Sequence, residues 1–408
     1  MVEIKKRNLI IIIVAALLFG CLGTGGAMYA LAAAGGFGGE GRQISKEDYA
    51  EYQHYKETYG KLDELKEFVS ENYYEEISDE ELMNGIYKGL FAGTGDIYSG
   101  YMTKSEYEQM MISTTGEYTG IGITMEADDS GYIVVVAPTD GTPADKAGIR
   151  TGDRILAVDG KEYTAENMDL AASAIRGKAG TKVSLTILRA SDGKKTTMEL
   201  RREKIVSKTV SSKMLEDNIG YIRISAFEQK TAEDFEKELH SMEVKGVSGV
   251  VIDLRGNGGG LVDASVAIAD RLLAEGTITY TETQKGEREY YKSKAGATEL
   301  PYTILVDGGS ASASEILAGA VRDNGGGLLV GTKTFGKGII QMLQELADGD
   351  GFKLTVMQYF SPSGDAIQKV GITPDIEVKL TEEDYDGQGV LVNDRQLERA
   401  VELLKQAE

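Results

Sequence analysis

The sequence has no tryptophan, one cysteine, two histidines and five prolines among 408 residues. The single cysteine, Cys21, rules out an intrachain disulfide. With only His54 and His240 beside it, a structural zinc site of Cys and His ligands cannot be assembled. Imidazole catalysis has equally little to draw on, because both histidines sit among charged residues in helical stretches and read as solvated. Positive charge is scarce as well. Lys and Arg number 44 against 65 Asp and Glu, a formal net charge of −21. Non-specific nucleic-acid binding and adsorption of the soluble part onto anionic lipid both need clustered positive charge, so both are disfavoured. What is plentiful is glycine, with 51 residues, so backbone freedom comes from Gly. An apolar content of 41% with 27% charged residues describes a folded globular chain, and the length suits two or three domains.

A long hydrophobic run occurs once. Lys5, Lys6 and Arg7 precede an uncharged stretch whose dense part is Leu9 to Leu22. From Leu9 to Ala34 a helix would measure about 39 Å, enough to span a bilayer of about 30 Å. The basic cluster should stay in the cytoplasm and place the rest outside. Residues 1–34 are therefore expected to be a basic stub and a single-pass membrane anchor, with the bulk of the chain extracytoplasmic. Two alternatives remain open: a signal peptide cleaved after the small residues Ala32–Ala34, and lipidation at Cys21 in LFGC. Residues 35–43 (GGFGGEGRQ) read as a flexible linker.

Residues 44–112 read as helices. Ser45 heads the first, with Leu62, Leu65, Phe68 and Val69 at helical spacing, and Ser78 to Glu81 form a capping box for the second. This region is expected to pack on later domains or to pair two subunits. Residues 113–205 change to strands: YTGIGITM from Tyr118, YIVVVA from Tyr132, a helical turn at Pro143–Ile149 ended by Gly148, a strand ILAV, a hairpin signal at Asp159-Gly160, a helix ending at Arg176, and VSLTILR. That order and its phrases resemble a PDZ domain. The resemblance implies capture of an extended chain end, with the loop Gly120, Ile121 and Gly122 receiving its carboxylate.

From 206 to about 380 the residues suited to chemistry appear. A buried strand, VSGVVIDL, leads into Arg255-Gly256-Asn257-Gly258-Gly259-Gly260 and a helix. The dinucleotide fingerprint fails because its last glycine would fall on Leu261, and the P-loop fails for want of a following Lys-Ser/Thr. What is left is a set of backbone N–H groups free to face an anion. Further on, the strand from Tyr302 to Val306 precedes GGSASASE. Ser312 heads a helix there, either where backbone donors would stabilise negative charge or as half of a Ser312-x-x-Glu315 capping box. Lys337 lies between two glycines near Phe335, Ile339 and Ile340. A lysine kept from water loses its proton more readily and can act as a general base. The alternative is an exposed turn lysine, and for Gln341 a strand surface residue.

The series DLRGNGGG, GSASASEILAGA, GTKTFGKGIIQ and SPSGDAIQKVGITPDIEV resembles the carboxyl-terminal processing peptidases, the tail-specific proteases. LMNGIYKGLFAGTGDIYSGYM and the PDZ-like region match that pattern too, and only Ile97 stands where the family usually has Pro. The resemblance implies a Ser/Lys serine endopeptidase without metal or cofactor. Ser312 would be the nucleophile, Lys337 the general base and Gln341 its orienter. The oxyanion hole would be the N–H of Ala313 with one from Gly258, Gly259 or Gly260, of which Gly259 is chosen. Substrates would be proteins or peptides with exposed C-terminal tails, bound by the PDZ-like domain. Arg176 is a candidate for coupling that binding to cleavage, or else a solvated helix-end charge. The expected architecture is an α/β peptidase core over 206–380, an inserted β-rich PDZ-like domain, helical flanks, and an amphipathic tail over 381–408. Leu397, Val401 and Leu404 share one face of the tail, which is expected to dock on a second subunit of a homodimer. An inert membrane-anchored PDZ scaffold and an acyl-CoA enzyme on a related core are the competing readings.

Overall fold

The computed structural model describes residues 44–128, 130–386 and 390–406. The expected anchor over 1–34 and linker over 35–43 lie outside them. Among the described residues no helix is long and apolar enough to cross a membrane. The described residues divide into two compact units, with the boundary between Met83 and Asn84.

In the first unit, α1 (Lys46–Asn72) starts at Ser45, whose hydroxyl accepts the N–H of Asp48 at 3.0 Å. No residue of α1 is buried, and Leu62, Leu65, Phe68 and Val69 are all exposed. Helix α2 (Asp79–Ala92) begins with the expected capping box, Ser78 N–H donating to Glu81 at 2.8 Å. In the second unit follow a short strand β1 (Gly100–Met102), unforeseen in this helical stretch, and α3 (Lys104–Thr115).

The next segment is a β-rich domain. Its strands are β2 (Glu117–Gly120), β3 (Ile123–Ala127), β4 (Ile133–Pro138), β5 (Arg154–Val158), β6 (Lys161–Glu162), β7 (Lys182–Leu188), β8 (Lys195–Arg201) and β9 (Glu203–Val206). Two helices interrupt them, α4 (Pro143–Lys146) and α5 (Met168–Ile175). The sheet runs β3-β4-β5-β7-β8 with β6 on β5, and β2 pairs only with β9. The apparently continuous YTGIGITM is thus broken at Ile121-Gly122, where the chain leaves one ribbon and joins another sheet. Ile121, Ile133, Ile155, Leu185 and Ile187 form a dry core under α5. Asp159 and Gly160 both take positive φ, 48° and 81°, the hairpin geometry their sequence predicts.

The core sheet follows the order β10-β11-β12-β15-β16-β19: β10 (Val210–Met214), β11 (Ile219–Ile224), β12 (Gly249–Asp253), β15 (Tyr302–Val306), β16 (Leu328–Gly331) and β19 (Ile376–Glu377). All but β10 pair in parallel. Parallel strands are buried on both faces, and β12 and β15 are buried at every residue. Val250 and Ile252 face α6 (Thr231–Lys245), α7 (Val262–Leu272) and α8 (Ala313–Asn324) in the main core. Val251 faces the other way, onto Ala400 and Leu404 of α9 (Arg395–Gln406). The expectation for the tail is corrected here: its apolar face docks on its own sheet, where Ile219, Leu305 and Val330 would otherwise meet water.

A second, antiparallel sheet runs β1-β18-β13-β14 with β17 on β18, from β13 (Gly276–Thr283), β14 (Arg288–Ser293), β17 (Ile339–Glu345) and β18 (Gly351–Phe360). Its strand β17 starts two residues after Lys337, and Tyr359 of β18 reaches the residue that heads α8.

Candidate active site

Ser312 sits on the turn between β15 and α8, half-exposed, with φ 56° and ψ −116°. A non-glycine residue there is strained and must be held by its surroundings. Its N–H donates to Glu315 Oε2 at 2.9 Å, and its carbonyl accepts from the Tyr359 hydroxyl at 3.0 Å and from the N–H of Glu315 at 2.8 Å. The glycine turn lies against it. A Cβ on Gly259, whose φ is 103°, would stand 2.7 Å from Ser312 Cβ and 2.9 Å from Ala313 N, so this position takes only glycine. Buried Asn257 stitches the two turns together. Its carbonyl accepts from Ala311 N–H at 3.0 Å and Ser314 Oγ at 2.8 Å. Its side-chain oxygen accepts the Gly259 N–H at 2.9 Å. That donor is therefore engaged in this arrangement. Among the described residues, the N–H groups of Ala313 and Gly258 have no acceptor.

Lys337 lies on the loop from β16 to β17. One carboxylate ties this loop to the serine turn. Glu315, fully buried, accepts from Thr334 Oγ1 at 2.6 Å and Gly336 N–H at 2.7 Å on Oε1, and from Ser312 and Lys337 N–H on Oε2, the latter at 2.8 Å. The buried hydroxyl of Tyr359 makes a second tie, lying between the carbonyls of Ser312 and Lys337. Gly338 is needed because a Cβ would meet Gln368 N at 2.4 Å.

Burial lowers the pKa of Lys337 from its ordinary value, the nearby Lys353 lowers it further, and Asp96 partly opposes them. The ammonium lies over the ring of Tyr98, 4.8 Å from its centroid. Among the described residues Nζ makes no hydrogen bond, neither to Ser312 nor to Gln341. Gln341, on β17, donates instead to Thr355 Oγ1 at 3.3 Å. Backbones of the predicted nucleophile and base are thus brought together, while the base's side chain and its orienter are turned elsewhere. Glu315 was legible only as a helix cap, and Tyr359 gave no signal in its strand.

In the β-rich domain, Ile121 and Gly122 are buried between β2 and β3. Their carbonyls are used by Ala144 N–H at 2.9 Å and Thr139 N–H at 2.9 Å. Their N–H groups have no acceptor among the described residues. Gly122 has φ 78°, and a Cβ would stand 2.4 Å from Thr142. Edge strand β3, paired on one side only, continues from this loop beside Met168 of α5. Arg176 caps α5 and is not a solvated charge. It is half-buried beside Tyr118, and burial lowers its pKa. It lines a cleft of about 370 Å³ with Tyr107, Met111 and Tyr118. Among the described residues no group of three or more His, Cys, Asp or Glu side chains could hold a metal.

Residues 218–378 match peptidase family S41, residues 134–189 a PDZ domain, and residues 21–106 the activating protease CtpB N-terminal domain. The carboxy-terminal processing protease CtpA of Bacillus subtilis is 36% identical over 324 residues, covering 79% of this chain and 69% of that one. The chain belongs to the carboxy-terminal processing peptidases of family S41. The peptidase is also 35% identical to CtpB of the same organism over 336 residues, 81% of this chain and 69% of that one. With the carboxyl-terminal-processing protease of Synechocystis it shares 39% identity over 293 residues, 70% and 68% of the two chains. It is a serine-type peptidase with a PDZ domain inserted ahead of its catalytic sheet.

Proposed function

We propose that the peptidase cuts extracytoplasmic proteins by a Ser312/Lys337 mechanism assisted by Gln341, choosing them by their C-terminal tails. The observation that carries this reading is the double tie, Glu315 and Tyr359, that joins the Ser312 turn to the turn of a lysine whose pKa burial depresses. Neutral Lys337 takes the proton of Ser312 Oγ as the oxygen bonds to the substrate carbonyl carbon. The oxyanion accepts from Ala313 N–H and from Gly258 N–H, or from Gly259 once Asn257 releases it. The lysine ammonium then gives its proton to the departing amine as the C–N bond breaks. Lys337 next deprotonates a water that attacks the acyl ester, and the proton returns to Ser312. For the tail, the two adjacent buried N–H groups at Ile121 and Gly122 suit a terminal carboxylate, and the open edge of β3 suits an added strand. The 26 uncharged residues from Leu9 to Ala34 behind Lys5, Lys6 and Arg7 support an anchored, outward-facing enzyme.

The test combines a fluorophosphonate probe with a peptide cleavage assay. Wild type should label. S312A and K337A should each lose at least about 10³-fold in turnover while remaining folded. Failure of wild type to label or cleave favours an inert scaffold, and full turnover in K337A rejects Lys337 as the base. Because Lys337 titrates below its ordinary value, kcat/KM should rise with pH along a limb under about 10.4. A flat profile between about pH 6 and 10 contradicts a lysine base.

A further inference from the structure

The side chains assigned as base and orienter touch one small assembly that the catalytic reading does not use: Lys337 meets the loop 95–99, and Gln341 meets Thr355 of β18, to which that loop is bonded. Asp96 is its anchor. The carboxylate accepts from Tyr98 N–H at 3.0 Å, from Ser99 Oγ at 2.6 Å and from Thr355 Oγ1 at 2.6 Å. Thr355 N–H in turn donates to Ser99 Oγ at 3.0 Å, so the loop is bolted to β18 from both sides. Burial works to raise the pKa of Asp96, but these hydrogen bonds outweigh it and keep the group anionic. The same Thr355 hydroxyl accepts from Gln341. Half-buried Tyr98, two residues from Asp96, places its ring 4.8 Å from the Lys337 ammonium, within the ~6 Å range of a cation–π contact.

A ring face attracts a charged ammonium and not a neutral amine, so the contact favours the protonation state in which Lys337 cannot act as a base. It also occupies the side chain away from Ser312. We infer that Tyr98, fixed by Asp96, Ser99 and Thr355, is a positioning residue that parks Lys337 in a protonated resting state while Thr355 parks Gln341. Productive substrate must draw both side chains off this latch. This inference rests on the Ser/Lys reading above. Among the described residues, the groups facing Lys337 are Tyr98 and Asp96 on the loop, Lys353 and the Tyr359 hydroxyl on β18, and the Glu315 carboxylate at its N–H. Lys353 and burial push the amine toward neutrality, and Asp96 and the ring pull it back.

The experiment is the pH dependence of kcat/KM for the full chain, wild type against Y98L, Y98F and T355V, with urea unfolding to establish that each is folded. Y98L should move the limb down by about 0.5–1 pH unit and raise kcat/KM at pH 7 by about 3- to 10-fold. Y98F keeps the ring and should keep the wild-type limb. T355V loosens the loop without touching the lysine and should move the limb the same way as Y98L. If Y98L unfolds, T355V decides. A limb that stays in place or moves up in Y98L, or in T355V should Y98L unfold, overturns the latch. S312A and K337A run alongside. If they cleave like wild type, the Ser/Lys reading falls. If they are dead and the limb of Y98L is unmoved, the latch alone falls.

Discussion

At the residue scale, the backbone of Ser312 is the strained part of the site. Ser312 holds φ 56° against the preference of an L-residue, and such positions cost about 1–3 kcal/mol. S312A keeps that strain and S312G relieves it. Both variants should be inactive, yet S312G should resist urea better than S312A by about 1 kcal/mol, after its extra unfolded-state entropy is set against the relief. Glu315 permits a second prediction. Each carboxylate oxygen accepts from a different pair of donors, so a glutamine in either orientation turns its NH₂ onto backbone N–H groups. E315Q should lose about 2–4 kcal/mol in urea unfolding and most of its turnover. A fully active, equally stable E315Q would show that the two turns are aligned by something else. This residue also marks the limit of what was legible. Ser312, Lys337 and Gln341 stand in recognisable phrases close in sequence. Glu315 doubles as a cap whose second role depends on a loop 19 to 22 residues away, and Tyr359 acts from a strand 47 residues beyond the serine it touches.

At the scale of elements, α9 completes the catalytic sheet. Leu404 is buried against the face of Ile219, Val251, Leu305 and Val330. L404A should cost about 2–4 kcal/mol of unfolding free energy, measured in urea. The same helix start supplies Asp394, which with Asp253 grips the buried guanidinium of Arg255 at 2.8 Å and 2.7 Å. Burial alone would lower the pKa of Arg255, but the two carboxylates raise it. That grip fixes the first residue of the glycine turn, so L404A should also reduce turnover. The parallel strands were readable because burial on both faces makes an unbroken apolar run, as in VSGVVIDL. Strands β14 and β18 were not. REYYKS lies mostly in solvent and GFKLTVMQYF is half-buried along nearly its whole length, so neither shows alternation.

At the scale of the molecule, the PDZ domain is reached and left through one two-stranded ribbon. Glu117 pairs with Val206 and Gly120 with Glu203, and Ser207 N–H donates to the Gly116 carbonyl at 2.9 Å beyond it. Paired residues lie about 5 Å apart, so residues 118–205 can be replaced by a short Gly-Ser linker without stretching the core. The shortened enzyme should remain folded by far-UV circular dichroism. It should cleave a tailed substrate, its amidated form and one ending in Asp-Asp at equal rates, whereas the intact enzyme should prefer the free apolar terminus. A preference that survives the excision would move tail recognition into the catalytic groove. The ribbon has an evolutionary corollary. A domain spliced in at a single doorway is a cassette: whatever its surface becomes, the fold on the far side of the doorway need not be rewritten, so the inserted domain and the peptidase core are free to drift on separate clocks.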